Sequence, residues 1–224
     1  MTGRIPVYLE VTRKRTFAGA IDWPGWCRSG KTPDDALEAL VTYADRYANV
    51  IAGSRLRFER PSGVEDLDVV ERLTGNATTE FGAPGIAPDA DDRRVDAKEL
   101  KRQTAILEAT WDAFDAAWDK AAKAKVELRK GPRGGGRDLP KMQDHILGAE
   151  EGYLAMLGSR PPDAAATGHM AAIRATALEA LVARASGKPV ADPRQTKRPW
   201  SPRFYVRRSA WHALDHAWEI EDRS

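Results

Sequence analysis

Trp200-Ser201-Pro202-Arg203-Phe204-Tyr205-Val206-Arg207-Arg208-Ser209-Ala210-Trp211-His212-Ala213-Leu214-Asp215-His216 decides how the second half of the chain is read. Ser201 suits an N-cap, Pro202 the first helical position, and Trp200 can staple onto Tyr205 across the helix start. His212 and His216 then lie one turn apart on one face, so both rings can reach a single ion. Only four histidines occur in 224 residues. A third, His145, sits in Asp144-His145-Ile146-Leu147-Gly148-Ala149-Glu150, another helix-like run. Three neutral imidazoles around a divalent ion leave a coordination position open, which is the arrangement of a catalytic rather than a structural site. The competing reading of His-x-x-x-His is a helix face with satisfied or solvated rings.

The helices before it fit one architecture. Leu107, Trp111, Phe114 and Trp118 alternate spacings of four and three, a core stripe. Residues 139–157 form a second helix stopped by Gly158, and 167–186 a third closed by Gly187. With the helix opened by Ser201, four helices of this length imply a four-helix bundle. His145 lies early in the second helix and His216 late in the fourth. If those two run antiparallel, the histidines meet at one level.

The first part reads differently. Val7 to Val11 and Thr16 to Ile21 have strand composition, and Asp22 to Gly30 is rich in turn residues. Thr32-Pro33-Asp34-Asp35 opens a helix, with Thr as N-cap and Pro at the first position. Arg55 to Glu59 and Leu67 to Arg72 are expected as further strands. The expected fold class is therefore α+β: a small antiparallel sheet with one helix over 1–75, a Gly/Pro/Ala/acid linker over 76–95, and an all-α bundle over 96–224.

Composition narrows the functions. The formal net charge is +2, which gives no global case for nucleic acid or an acidic membrane surface. Cys27 is the only cysteine, so an intramolecular disulfide is impossible and a thiolate metal cluster is disfavoured. The N-terminus lacks an apolar signal core and no run approaches membrane-spanning length, so a cytoplasmic protein is expected.

Two resemblances follow from these residues. Phe17-Ala18-Gly19-Ala20-Ile21-Asp22-Trp23-Pro24-Gly25-Trp26, followed by Gly30-Lys31-Thr32-Pro33-Asp34-Asp35-Ala36-Leu37-Glu38-Ala39-Leu40, resembles the small HicB-like fold. That resemblance implies a structural or partner-binding module. Asp144 to Tyr153 together with Arg207 to His216 resembles the DinB-like superfamily of four-helix metalloproteins. It implies an up-down-down-up bundle that binds zinc, nickel or iron through one histidine of helix two and the His-x-x-x-His of helix four, here His145, His212 and His216. It also implies a transferase that uses a low-molecular-weight thiol such as mycothiol or bacillithiol, and leaves a homodimer open. The alternatives are a metal-dependent hydrolase using a metal-bound hydroxide and a non-enzymatic protein-binding module.

The surroundings add candidates for substrate binding. Arg129-Lys130-Gly131-Pro132-Arg133-Gly134-Gly135-Gly136-Arg137-Asp138 precedes the helix that carries His145. Its guanidinium groups, Arg133 and Arg137 above all, suit a small anionic substrate bearing carboxylate or phosphate; the bland reading is a solvated loop. Tyr153, Glu150, Tyr205 and Arg208 lie within two turns of a ligand and can line a pocket, or serve as core or rim. The basic run from Arg194 to Arg208 with Trp200, Phe204 and Tyr205 offers a nucleic-acid surface; core aromatics with solvated arginines is the favoured reading. His169 is expected at the surface.

Overall fold

The computed structural model describes residues 3–130, 136–162, 169–188 and 198–224. Its contacts divide the chain into two units, one ending at Arg93 and one beginning at Arg94.

In the first unit, β1 (Ile5–Val11), β2 (Thr16–Ala20), β3 (Cys27–Gly30) and β4 (Leu67–Thr74) form one sheet in the order β3-β2-β1-β4. β1 pairs antiparallel with β2, and β2 with β3, but β1 pairs parallel with β4. The expected all-antiparallel sheet is thus a mixed one. A parallel neighbour needs a crossover, and α1 (Pro33–Thr42) and α2 (Ala44–Ile51) fall between β3 and β4. The α1 start follows the sequence: the Thr32 side chain accepts from the Asp35 amide, Asp35 answers on the Thr32 amide, and Pro33 opens the helix.

Two local expectations for this unit change. Arg55 to Glu59 forms no strand: Arg55 sits at φ 61, and Phe58 packs edge-on against Trp23, Trp26 and Tyr47 with centroids 5.0–5.1 Å apart. Residues 76–95 are not a bare linker either, because the stretch as far as Arg93 belongs to the first unit. Glu10, fully buried on β1, organises it: the carboxylate accepts from the Thr79 hydroxyl, from the Gly85 amide at 2.9 Å and from the Ile86 amide at 3.2 Å. A buried carboxylate without such donors is costly, so this segment is pulled onto the sheet. Asn76 caps the short helix α3 (Ala77–Phe81) within it.

The second unit is mostly helical: α4 (Ala97–Lys123), α5 (Leu139–Leu157), α6 (His169–Ala185) and α7 (Pro202–Arg223). Leu107, Trp111 and Phe114 of α4, Ile146 and Leu154 of α5, Ile173 and Leu181 of α6, and Val206 and Ala213 of α7 share one buried core. α7 packs chiefly on α4 and then on α5, while α6 rests on α5 and α4. Polar contacts fix the helix directions. Arg203 meets Glu99 and Ser209 meets Trp111, so α4 and α7 run parallel. His145 meets His212, Glu150 meets Ser209, and the Met156 carbonyl meets the Trp200 amide, so α5 and α7 run antiparallel. The antiparallel relation that the two histidine depths required is present. Ser201 caps α7 on the Phe204 amide, but Trp200 packs on Phe204 (4.9 Å) and Tyr153 (5.4 Å) rather than stapling onto Tyr205. Among the described residues no helix is long and apolar enough to cross a membrane.

Gly19 faces Tyr8 across the β1–β2 ladder, and a Cβ there would lie 2.5 Å from the Tyr8 ring, which is 1% exposed. Gly19→Ala is therefore expected to destabilise the first unit by about 1–3 kcal/mol through overpacking. Urea denaturation followed by tryptophan fluorescence measures it, and an unchanged midpoint would refute the close packing.

Candidate metal centre

Beside the apolar row that α7 gives to the core, a second buried row is polar. Tyr205, Ser209, His212, His216, Glu219 and Arg223 follow one another at spacings of four and three, the spacing that normally carries a helix's apolar seam. Five of the six are buried, with Glu219 on the rim. Each therefore needs a partner from a neighbouring element.

His145, His212 and His216 are each other's partners. One ligand atom from each lies within 4.8 Å of the others. The Nε2 atoms of His145 and His212 are 3.1 Å apart. The His212 and His216 centroids lie 4.7 Å apart, and His145 is 5.0 Å from both, with every pair of rings edge to face. Ligands about 2.0–2.1 Å from a tetrahedral ion are separated by roughly 3.3 Å, so the observed approach fits two nitrogens sharing one cation.

Electrostatics keep these lone pairs free. Burial, then Arg137 and His216, lowers the His145 pKa from the ordinary 6.5 to about 4. Burial, then His216, Arg208 and His145, pushes His212 well below the usual imidazole range. Both rings are neutral near pH 7, the form in which imidazole binds a metal.

Glu219 and Arg223 escaped the sequence reading. The His216 Nδ1 lies 2.8 Å from Glu219 Oε2, and Arg223 Nη1 donates to Glu219 Oε1 at 2.6 Å. A carboxylate on Nδ1 holds the proton there and leaves Nε2 for an ion, the carboxylate–histidine–metal pattern. Burial works to raise the Glu219 carboxyl; the hydrogen bonds and charges of His216 and Arg223 outweigh it, and its pKa is lowered. The signal was available in the sequence, since Glu219 and Arg223 continue the spacing of His212 and His216.

The predicted substrate-binding residues separate into groups. Tyr153 stands edge-on to His212 at 5.6 Å, and the Arg208 guanidinium lies 5.4 Å from the Tyr153 ring and 4.7 Å from Trp211. Arg137 is exposed, yet its charge acts on both His145 and His212. Arg133 lies outside the described residues. Tyr205 goes elsewhere: fully buried, it neighbours Glu150, and burial followed by that carboxyl pushes its hydroxyl well above the usual range. Glu150 is itself fully buried, accepts from the Ser209 hydroxyl at 2.6 Å, and has its pKa raised by burial. The Trp111 indole donates to the same Ser209 at 3.3 Å, so one hydroxyl joins α4, α5 and α7.

One other expectation is corrected. His169 is 9% exposed rather than on the surface, with Nε2 2.6 Å from Glu151, because that carboxylate of α5 offers the ring a partner. In the basic aromatic run the favoured reading of the rings as core agrees with the structure: Phe204 and Tyr205 are buried and Trp200 packs on Phe204 and Tyr153; of the arginines, Arg203 pairs with Glu99 and Arg207 is buried rather than solvated. Residues 194–197 lie outside the described region. Cys27 is buried in the first unit.

Compared with known proteins, the chain matches no family model, no curated protein and no solved structure.

The lowered histidines make a pH prediction. The unfolded chain takes up protons near pH 6.5, whereas folded His145 resists until about pH 4 and His212 is lowered as well. Between those values the unfolded state binds more protons, so stability is full above pH 6.5 and falls as pH drops toward 4. Thermal unfolding of metal-free wild type across this window should show that slope, and His212→Asn should flatten it. An equal slope in both proteins would contradict the burial of this ring.

Proposed function

We propose that the second unit is a four-helix bundle of the DinB-like kind, holding a divalent metal ion on His145, His212 and His216 and transferring a group between a low-molecular-weight thiol and a small anionic substrate. The observation that carries this reading is the convergence of three ligand atoms within 4.8 Å, contributed by two helices. The donor set is chemically suitable: two rings are held neutral, and the third sets Nδ1 2.8 Å from a Glu219 oxygen, a partner that favours the proton on that nitrogen. Zinc is the expected ion for imidazole nitrogens, with nickel and iron as competitors.

Bound there, a divalent ion on neutral ligands keeps its full charge and lowers the pKa of a thiol or water that reaches it. The chain's own residues supply the rest. Arg137 and Arg208 add positive charge around the rings. Among the acids, Glu219 is spent on His216 and Arg223, and Glu150 is pushed by burial toward its neutral form. The balance favours an anion. Tyr153 and Trp211 flank Arg208 and restrict where its guanidinium can point. The only cysteine lies buried in the first unit, so the thiol in this reading comes from a separate molecule.

Metal content of protein purified without chelators tests the reading first. Wild type should carry about one divalent ion per chain, and His212→Ala should fall to background, since a missing ligand from a three-residue set leaves too few to hold the ion. Equal, near-zero metal in both overturns the proposal. The reaction is tested by turnover of an electrophile with mycothiol or bacillithiol, lost in His212→Ala; product formed equally well without added thiol would favour hydrolysis instead.

A further inference from the structure

Arg223 is a cation with only 8% exposure at the last turn of α7, and all three of its guanidinium nitrogens are occupied. Nη1 donates to Glu219 Oε1 at 2.6 Å, Nε to the Arg129 carbonyl at 2.7 Å, and Nη2 to the Arg137 carbonyl at 3.0 Å. Arg129 answers: its amide donates to the Arg223 carbonyl at 2.9 Å and its guanidinium to the Asp222 carbonyl at 2.7 Å. An exposed ion pair contributes little. Here a planar fork of donors is buried and joins three acceptors from three places in the sequence, which a lysine ammonium cannot reproduce.

We propose that Arg223 is a positioning residue that fixes His216 as a metal ligand through Glu219 and links that ligand to the backbone at Arg129 and Arg137. This rests on the metal reading above and extends it from three ligands to the network behind them.

Glu219 has two oxygens and, half-exposed beside the histidines, could turn from one partner to another. His216 takes Oε2 and Arg223 takes Oε1, so neither oxygen is spare. With the carboxylate held, the His216 proton stays on Nδ1 and Nε2 remains a donor of electrons. With Arg223 lost, Glu219 is free to leave the ring or to coordinate an ion itself, replacing a neutral set with a charged one. Arg223 also balances the Glu219 charge, so the pair adds no net charge to the centre.

The other end of the network is backbone. Arg223 holds the Arg137 carbonyl at 3.0 Å and the Arg129 carbonyl at 2.7 Å with the same guanidinium that holds Glu219. The position of the backbone at 129 and 137 and the affinity of the centre are thereby linked, and linkage is reciprocal. Metal binding should order the backbone bonds at Arg129, and removing the clamp should weaken metal binding.

The experiment compares wild type, Arg223→Met, Arg223→Lys and Glu219→Gln, with zinc as the probe. Glu219→Gln is nearly isosteric at a rim position and keeps the test valid should Arg223→Met unfold. Calorimetric titration should show zinc affinity lowered about 10–100-fold in Arg223→Met and in Glu219→Gln, the usual cost of losing a residue behind a ligand, with Arg223→Lys failing to restore it. Nitrogen-15 NMR of the metal-free proteins should show His216 protonated on Nδ1 in wild type and a mixture of tautomers in Glu219→Gln. Hydrogen exchange of the Arg129 amide should slow when zinc is added to wild type, and not in Glu219→Gln. Wild-type zinc affinity, His216 tautomer and Arg129 exchange in the variants would overturn this inference alone. No zinc binding by wild type would overturn the metal reading and this inference with it.

Discussion

A helix that turns polar side chains toward its neighbours constrains everything packed against it. On α7 the row Tyr205, Ser209, His212, His216, Glu219 and Arg223 turns inward beside the apolar row of Val206, Ala210, Ala213 and Ala217. A buried polar group left without a partner costs about 1–3 kcal/mol, more if charged, so several such omissions would consume a domain's entire margin of stability. Neighbouring elements must supply complements at the matching levels. α4 offers Trp111, α5 offers Glu150 and His145, and the segment after α4 offers the Arg129 carbonyl. The parallel course of α4 beside α7 and the antiparallel course of α5 are the arrangement in which these complements arrive in order.

The three imidazoles are where this complementarity is incomplete. His216 has Glu219, but His145 and His212 bring their Nε2 atoms to 3.1 Å of each other. A single shared proton could join one pair of rings; it could not serve three that converge. A cation could. Arginine charges and burial work against protonating His145 and His212, so both rings offer neutral lone pairs, the form in which imidazole binds a metal. The same surroundings would draw an anion, which ties the centre's chemistry to the kind of substrate proposed for it.

Much of the second unit was legible because helical periodicity and caps are local. Ser201 with Pro202, Gly158 as a stop, and the Leu107–Trp111–Phe114 stripe each place a helix without reference to the rest of the chain. The pairing of His145 with His212 and His216 was legible as depth along two helices. What escaped was non-local partnership. Glu219 and Arg223 sat on the expected stripe, but only the meeting with His216 and with the carbonyls at 129 and 137 gives them a role. In the first unit, the turn-rich passage ending at Gly30 conceals β3, and one buried carboxylate, Glu10, turns a sequence with linker composition into packed structure. The parallel β4 depends on a crossover whose course strand composition does not reveal.

The central claim is that one cation is shared by three rings. X-ray absorption at the zinc edge of loaded wild-type protein tests it most directly. The account predicts imidazole scattering from three histidines with nitrogens about 2.0–2.1 Å from the metal, and loss of one imidazole in the His145→Ala protein. A spectrum without imidazole scattering, or one unchanged by that substitution, would contradict it.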